Sequence, residues 1–311
     1  MWYGGRALKY MIPKFPAFKN LELSDKAAVE SFTRGFFPYS DFNFVSMWCW
    51  NTEGDLAISD LNGNLVVKFR DYLTKKPFYS YIGSTALPET IRTLSHFSVS
   101  QGLESKLALV PEESATVEHH GLARVPDQDN FDYVYDMREY VACEGKTYET
   151  QRNQISRFER NHPGCRIEVL DSLDSVKNKL VRLEQLWKIN KLLQGKASDF
   201  KNESDALERI FDLSDAQLIA VCIYVNGRIA GFCISELIEG SNFAVAHFAK
   251  ANITFPGIYS YMFRETCKAL IARGKQYLNY EQDLGLTQLR QAKTAFRPVR
   301  FLKKYSVTLG E

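Results

Sequence analysis

The stretch Leu218-Ile-Ala-Val-Cys-Ile-Tyr-Val-Asn-Gly-Arg-Ile-Ala-Gly-Phe-Cys-Ile-Ser-Glu236 decides the fold class. Two apolar runs, Leu218 to Val225 and Arg228 to Glu236, meet at Asn226-Gly227. An Asn-Gly pair between apolar runs is the chemistry of a two-residue hairpin turn, because both positions tolerate positive φ. Upstream, Arg166 to Leu170 reads as a strand, and Ser172 is placed to cap a long amphipathic helix running to about Leu193. Leu173, Val176, Leu180, Leu183 and Trp187 form its apolar stripe. A second helix covers about Ser204 to Phe211. Downstream, Phe243 to Ala249 is a third strand, and Pro256-Gly257 introduces a helix that stops at Gly274. Tyr277 to Tyr280 is a strand, Leu286 to Phe296 a helix closed by Pro298, and Phe301 to Leu309 a last strand.

The first half is less regular. Asp25 to Phe32 has helical spacing behind Ser24, and Asp41 to Trp48 is ambiguous between helix and strand. Leu56 to Ser59 and Leu65 to Phe69 are strands around Asn62-Gly63-Asn64. Pro88 to Ser95 is helical, and Lys106 to Val110 and Asn130 to Tyr135 are strands. From about Lys146 to Arg160 a helix puts Tyr148, Ile155 and Phe158 on one face and Lys146, Asn153, Arg157 and Arg160 on the other. Asn161-His162-Pro163-Gly164 ends it. A chain of 311 residues exceeds the usual single domain, so the expected lobes are 1–163 and 164–311. The order from Arg166 to Leu309 is strand, two helices, three antiparallel strands, helix, strand, helix, strand. That is the order of a GNAT-type acyltransferase lobe. If the first half repeats that order in degenerate form, the expected fold class is α/β (α+β): tandem GNAT-like lobes with mixed, mostly antiparallel sheets flanked by helices, although no clean internal sequence repeat is present.

The 39 basic and 37 acidic residues leave a net charge of +2, which argues against a general nucleic-acid binder and leaves only a local patch. Leu286 to Lys304 is such a patch: it holds Arg290, Lys293, Arg297, Arg300, Lys303 and Lys304 and no acid. The 13% aromatic content is expected in the core. Six cysteines without C-x-x-C spacing read as reduced thiols. No apolar run approaches the roughly 18 residues of a spanning helix, and Met1 to Lys9 lacks a signal-peptide core. Met11 reads as a second possible start, and the expected location is cytoplasmic.

Several routine chemistries are excluded. Gly145-Lys146-Thr147 is not a phosphate-binding loop, because Tyr140 stands where the first glycine is required. G-x-G-x-x-G, G-x-S-x-G and H-E-x-x-H are absent. His119-His120 reads as a solvated loop, and no metal site is expected. In acetyltransferases of this topology a glycine-rich loop at a helix N-terminus holds the coenzyme A pyrophosphate. Here Lys250-Ala-Asn-Ile-Thr-Phe-Pro-Gly-Ile-Tyr259 has one glycine, Gly257, flanked by Phe255 and Tyr259. No cofactor is expected.

The candidate site is Tyr277-Leu-Asn-Tyr-Glu-Gln-Asp-Leu-Gly-Leu-Thr-Gln-Leu-Arg-Gln-Ala-Lys293. A strand ends in Glu281 and Asp283, and Gly285 turns the chain into a helix carrying Arg290, Lys293 and Arg297 at i, i+3 and i+7. Carboxylates at a strand's carboxyl end can hold an amine or accept a proton. The cations can hold phosphate or stabilise charge on a reacting carbonyl. The bland alternative is an ion-paired turn followed by a solvated basic face.

At this point the sequence resembles the phosphatidylglycerol lysyltransferase C-terminal-domain family, one of the tandem-GNAT, Fem-like aminoacyltransferases. Asn279, Glu281, Asp283, Leu284, Gly285, Leu289, Arg290, Ala292 and Lys293 meet the pattern N-x-E-x-D-L-G-x-x-x-L-R-x-A-K. Asp132-Tyr-Val-Tyr135, Gly145-Lys146 and Gln151-Arg-Asn-Gln-Ile-Ser-Arg-Phe158 are similar to its D-Y-x-Y, G-K and K-R-N-x-I-x-x-F signals. His247-Phe-Ala-Lys-Ala-Asn252 is similar to its H-x-E-K-A-D run and departs from it at Ala249 and Asn252. The resemblance runs from about Met11 to the C-terminus. It implies an aminoacyl-tRNA donor used without coenzyme A, and it leaves the acceptor unknown, a lipid being reachable by peripheral membrane contact.

The leading expectation is an aminoacyltransferase in which an amine or hydroxyl attacks the aminoacyl ester. Asp283 and Glu281 are the expected catalytic carboxylates. Asn279, Arg290, Lys293, His247, Lys250 and Tyr259 are expected to bind substrate, and Lys146, Arg152, Asn153, Arg157 and Arg297 to face tRNA. Two alternatives remain: an acyl-CoA-dependent N-acyltransferase, and a binding module of the same fold without chemistry.

Overall fold

The computed structural model describes residues 12–115, 121–193, 195, 200–214 and 216–310; His119 and His120 lie outside them. Two compact units emerge, neither continuous in sequence. One comprises Met1–Asp132, Gln282–Gly285 and Leu302–Glu311, the other Tyr133–Glu281 and Leu286–Phe301. The sequence places a boundary at 163/164; the compact units instead divide at 132/133, and the chain's last segment joins the first unit.

In the first unit, β1 (Lys19–Asn20), β2 (Ala57–Leu61), β3 (Asn64–Arg70) and β4 (Pro77–Ile82) form an antiparallel sheet in that order. Asn62 and Gly63 both have positive φ, as the β2–β3 hairpin requires. α1 (Lys26–Thr33), α2 (Phe44–Trp50) and α3 (Leu87–Ser100) belong to this unit. The ambiguous stretch from Asp41 resolves as helix from Phe44, because Asn43 caps it by accepting from Ser46 N at 3.0 Å. A second sheet has the order β5 (Leu107–Pro111), β14 (Lys304–Leu309), β6 (Leu122–Pro126). The core packs Val66, Tyr81, Ile91, Leu94, Val110 and Val307 together.

The second unit is built on β7 (Asp132–Asp136), β8 (Arg166–Leu170), β9 (Leu218–Val225), β10 (Arg228–Leu237), β11 (Phe243–Ala251), β12 (Tyr277–Asn279) and β13 (Arg300–Leu302). Their order across the sheet is β13-β7-β12-β11-β10-β9-β8. β11 and β12 are parallel; the pairs β7–β12, β11–β10, β10–β9 and β9–β8 are antiparallel. β9 is buried at every position, and Asn226 and Gly227 form its turn into β10 with positive φ. The helices are α4 (Met137–Ala142), α5 (Glu149–Asn161), α6 (Lys177–Leu193), α7 (Phe200–Arg209), α8 (Ile258–Ile271) and α9 (Thr287–Ala295). β7, α4 and α5 explain why the boundary lies at 132/133: β7 pairs with β12, and Tyr140, Ile155 and Phe158 share a core with Ile219, Val221, Met262 and Leu270. Aromatic rings pack in this core, with Phe263 stacked on Phe296 at 4.5 Å and Tyr140 edge-on to Phe263 at 4.6 Å.

Four expectations change. The helix expected behind Ser172 begins only at Lys177, because Ser172 Oγ accepts from Asp174 N at 3.3 Å in a turn before it. The single strand expected from Phe301 to Leu309 is two strands in two different sheets, broken at Lys303. The helix expected at Ser204 starts at Phe200. β4, β6 and α4 had no expected counterpart; α4 exists because Asp136 caps it, accepting from Arg138 N at 2.9 Å, and Cys143 ends it at φ 50°.

Candidate functional site

β12 runs beside β7 with Leu278 opposite Tyr135 and Asn279 opposite Val134. The pairing extends one step further, through Tyr280 N to Tyr133 O at 2.9 Å and Tyr133 N to Glu281 O at 3.1 Å. There the backbone leaves the extended region: φ is 58° at Glu281, 56° at Leu284 and 71° at Gly285. Left-handed backbone costs a non-glycine residue roughly 1–2 kcal/mol, and such strain concentrates where a site needs it. Side chains hold it in place. Asn279 Oδ1 accepts from Glu281 N, and Asp283 Oδ1 accepts from Gly285 N, both at 2.8 Å. Glycine suits position 285 because its φ of 71° strains other residues, and a β-carbon there would also crowd the Asp129 carboxylate at 2.9 Å. Asp283 is fully buried.

Glu281 meets a buried histidine. Ile234 pairs with Phe248 and Ser235 with Ala246, so His247 is the extra residue of a β-bulge between β10 and β11. A bulge re-aims a side chain, and this one turns His247 between two carboxylates. Nε2 lies 3.4 Å from Glu236 Oε2, and Nδ1 lies 3.4 Å from Glu281 Oε1. Burial opposes a charged ring, yet the hydrogen bonds to Glu236 and Glu281 outweigh it and push the His247 pKa up to about 9. The ring is an imidazolium at neutral pH. The three side chains differ in access: His247 is 1% exposed and Glu236 7%, whereas Glu281 is 17% exposed. Glu281 is thus the arm of the cluster with most access to solvent.

The expected phosphate-binding residues part company. Lys293 is buried, and its ammonium donates to Tyr280 O at 2.5 Å and lies 5.4 Å above the Tyr280 ring. Tyr135 OH donates to the Lys293 carbonyl at 2.8 Å. Burial thus turns Lys293 toward the aromatic core rather than to solvent. Arg290 is half-buried on the same helix, and Arg297 is exposed. Arg297 Nε donates to Thr147 O at 3.2 Å, and Arg152 Nη1 donates to Gly145 O at 2.6 Å. The structure therefore brings Arg297 and Arg152 to the turn carrying Lys146. Lys146, Asn153 and Arg157 are exposed, while Ile155 and Phe158 are buried, as the helical wheel predicts.

Lys250 and Tyr259 form a separate group. Lys250 is ion-paired with Glu203 and lies 3.5 Å above the Trp187 ring. Tyr259 OH accepts from Ala251 N at 3.3 Å, and burial raises its pKa. Sequence reasoning missed Glu203, Glu236 and Trp187. Glu236, a carboxylate near the end of a mostly apolar strand, was the one visible signal.

The N-terminus of α8 is where a coenzyme A pyrophosphate would be sought. α5 packs across it. Gly257 has φ 88°, and a side chain there would run into the backbone carbonyl oxygen of Gln154. Ser260 of the first turn hydrogen-bonds Gln154 Oε1, and His162 sits edge-on to Phe255 at 5.1 Å. Among the described residues no group of His, Cys, Asp and Glu is arranged to hold a metal, and no helix is long and apolar enough to cross a membrane.

A family model described as phosphatidylglycerol lysyltransferase, C-terminal, matches residues 36–308. No curated protein matches in sequence. Among solved structures, a conserved protein of unknown function from Bacteroides thetaiotaomicron is 24% identical over 96% of this chain and 100% of its own, with a TM-score of 0.81. L-PGS from Bacillus licheniformis is 15% identical over 96% and 94%, with a TM-score of 0.62. FemX is 9% identical over 93% and 96%, with a TM-score of 0.54. At these identities the likeness establishes the fold, a mixed α/β acyltransferase fold of the GNAT-like, Fem type.

Proposed function

We infer an activity from kinship and site together: the chain belongs to the phosphatidylglycerol lysyltransferase C-terminal family, and we propose that it moves an aminoacyl group from aminoacyl-tRNA to an amine or hydroxyl acceptor. The acceptor's nucleophile attacks the ester carbonyl, and a tetrahedral oxyanion forms. Its collapse expels the ribose hydroxyl of the tRNA, which takes up the proton lost by the nucleophile. The observation carrying this reading is Glu281, a carboxylate with solvent access, supported from behind by a charged imidazole. It is suited to hold the α-ammonium of an aminoacyl group, which an acetyl group lacks. Asp283, by contrast, we assign to the turn, since it is buried and bonded to Gly285 N.

The covered N-terminus of α8 weighs against an acyl-CoA donor, because a diphosphate needs free helix amides and small neighbours. The exposed face with Lys146, Asn153, Arg157 and Arg297 is the proposed tRNA contact.

The test is a transfer assay with labelled aminoacyl-tRNAs and lipid, peptide and small-amine acceptors. Wild-type protein should transfer label, and Glu281→Gln should lose roughly 100-fold or more. Micromolar binding of acetyl-CoA by calorimetry, with no transfer from any aminoacyl-tRNA, would overturn the reading.

A further inference from the structure

α6 turns apolar residues in two directions. Leu180, Leu183 and Trp187 are buried, as the stripe predicts. Toward solvent, Leu186, Ile189, Leu192 and Leu193 remain exposed, Ile189 by 53% and Leu193 by 81%. Residues three, four and seven apart share a helix face, so Leu186, Ile189 and Leu193 form one stripe. Lys179 and Arg182 stand one heptad before Leu186 and Ile189 on that same stripe and both are exposed, with the Lys179 ammonium 5.4 Å from the Tyr224 ring, where its charge acts on Glu168. The outward side therefore reads as bases in the first half and aliphatic side chains in the second. The helix's one acid, Glu184, is buried and paired with Lys188 at 3.2 Å.

We propose that this face of α6 docks on an anionic lipid surface. A helix whose solvent side combines aliphatic residues with lysine and arginine, and no acid, is the pattern of interfacial binding: the apolar part enters the headgroup–acyl boundary while the bases meet anionic headgroups. Charge favours a bilayer over a second copy. Self-association would set the same acid-free stripe against itself and leave Arg182 without a carboxylate to meet, whereas Lys179 already has Glu168 nearby. The proposal stands apart from the transferase reading, since docking needs neither Glu281 nor tRNA.

The experiment is co-sedimentation of the full chain with phosphatidylcholine vesicles, with and without about 30 mol% phosphatidylserine. Phosphatidylserine is used so that a phosphatidylglycerol-specific acceptor site cannot produce the signal. Binding should require the anionic lipid. Lys179→Gln with Arg182→Gln should weaken it roughly thirtyfold, and Ile189→Asp with Leu193→Asp should abolish it. Circular dichroism and a melting curve confirm that each variant is folded. Glu281→Gln should bind vesicles like the wild type even if transfer is lost. Three results would overturn the proposal: no binding to anionic vesicles, equal binding by the Ile189→Asp, Leu193→Asp protein, or a wild-type dimer in sedimentation that this variant dissolves.

Discussion

Each unit holds a buried cation between two carboxylates, and the two clusters differ in what they leave open. In the first unit, Lys304 is fully buried, 2.7 Å from Asp132 and ion-paired with Asp41. Ser40 Oγ and Ser40 N both donate to the Asp132 carboxylate, at 2.6 and 2.8 Å. Burial works against the charged lysine, but Asp132 and Asp41 raise its pKa all the same. Gln282 joins through Ser40 and Asp41, so the cluster anchors the segment that follows Glu281. In the second unit, His247 plays the cation between Glu236 and Glu281. The charge pattern is the same, but one carboxylate reaches solvent from a left-handed backbone, and the cation titrates. A sealed cluster fixes a strand; one with an open arm can bind a ligand. Access and titratability distinguish the two clusters, and charge count does not.

The largest effect should come from the sealed cluster. Lys304→Met leaves two buried carboxylates without their cation and should cost about 3–5 kcal/mol. Urea unfolding measures it; a loss under about 1 kcal/mol would make Lys304 a peripheral ion pair and erase the contrast.

The open cluster should show itself in pH. His247 has a folded pKa of about 9 against about 6.5 unfolded. A raised pKa contributes stability that is complete below about pH 6.5 and lost as pH rises through about 9, on the order of 3 kcal/mol in all. His247→Gln should flatten the stability profile across that window. An unchanged slope would assign it to other groups.

Next comes chemistry without unfolding. Glu281→Gln should reduce transfer roughly 100-fold. It removes one of the two carboxylates that favour a charged His247, so the melting temperature at neutral pH should fall only in part, with the fold intact by circular dichroism. Asp283→Asn keeps an oxygen for Gly285 N and should do less harm. The reverse order of severity would move the catalytic carboxylate to Asp283.

The smallest effect belongs to the exposed basic face. Arg157→Ala should lower the log–log salt slope of tRNA binding by about one unit. An identical slope and affinity would make that face merely solvated.

Much of the second unit was legible because its signals are local. Asn226-Gly227 dictates its own turn, and the period of Ile155 and Phe158 reports which side of α5 is buried. The cluster from Asn279 to Lys293 could be recognised because its residues are contiguous. What it does was harder to read. Lys293 and Arg290 look alike on a helical wheel, but neighbouring rings and a carbonyl bury the first. His247 gains its partners from a one-residue bulge and from a turn 34 positions away, neither of which a periodicity reports.

By itself the sequence determined the alternation of elements from Arg166 to Ala295, the hairpin, the basic side of α5 and the single-glycine approach to α8, all set by backbone preferences and side-chain period within a few residues. Only the tertiary structure decided that residues 133–163 build the second unit, that Phe301 and Lys304 enter different sheets, and that Glu281 and Asp283 have different surroundings. Those outcomes depend on pairings between residues far apart in the chain, such as Lys304 with Asp132, and long-range pairing is chosen by the free energy of the whole packed unit rather than by any segment of it.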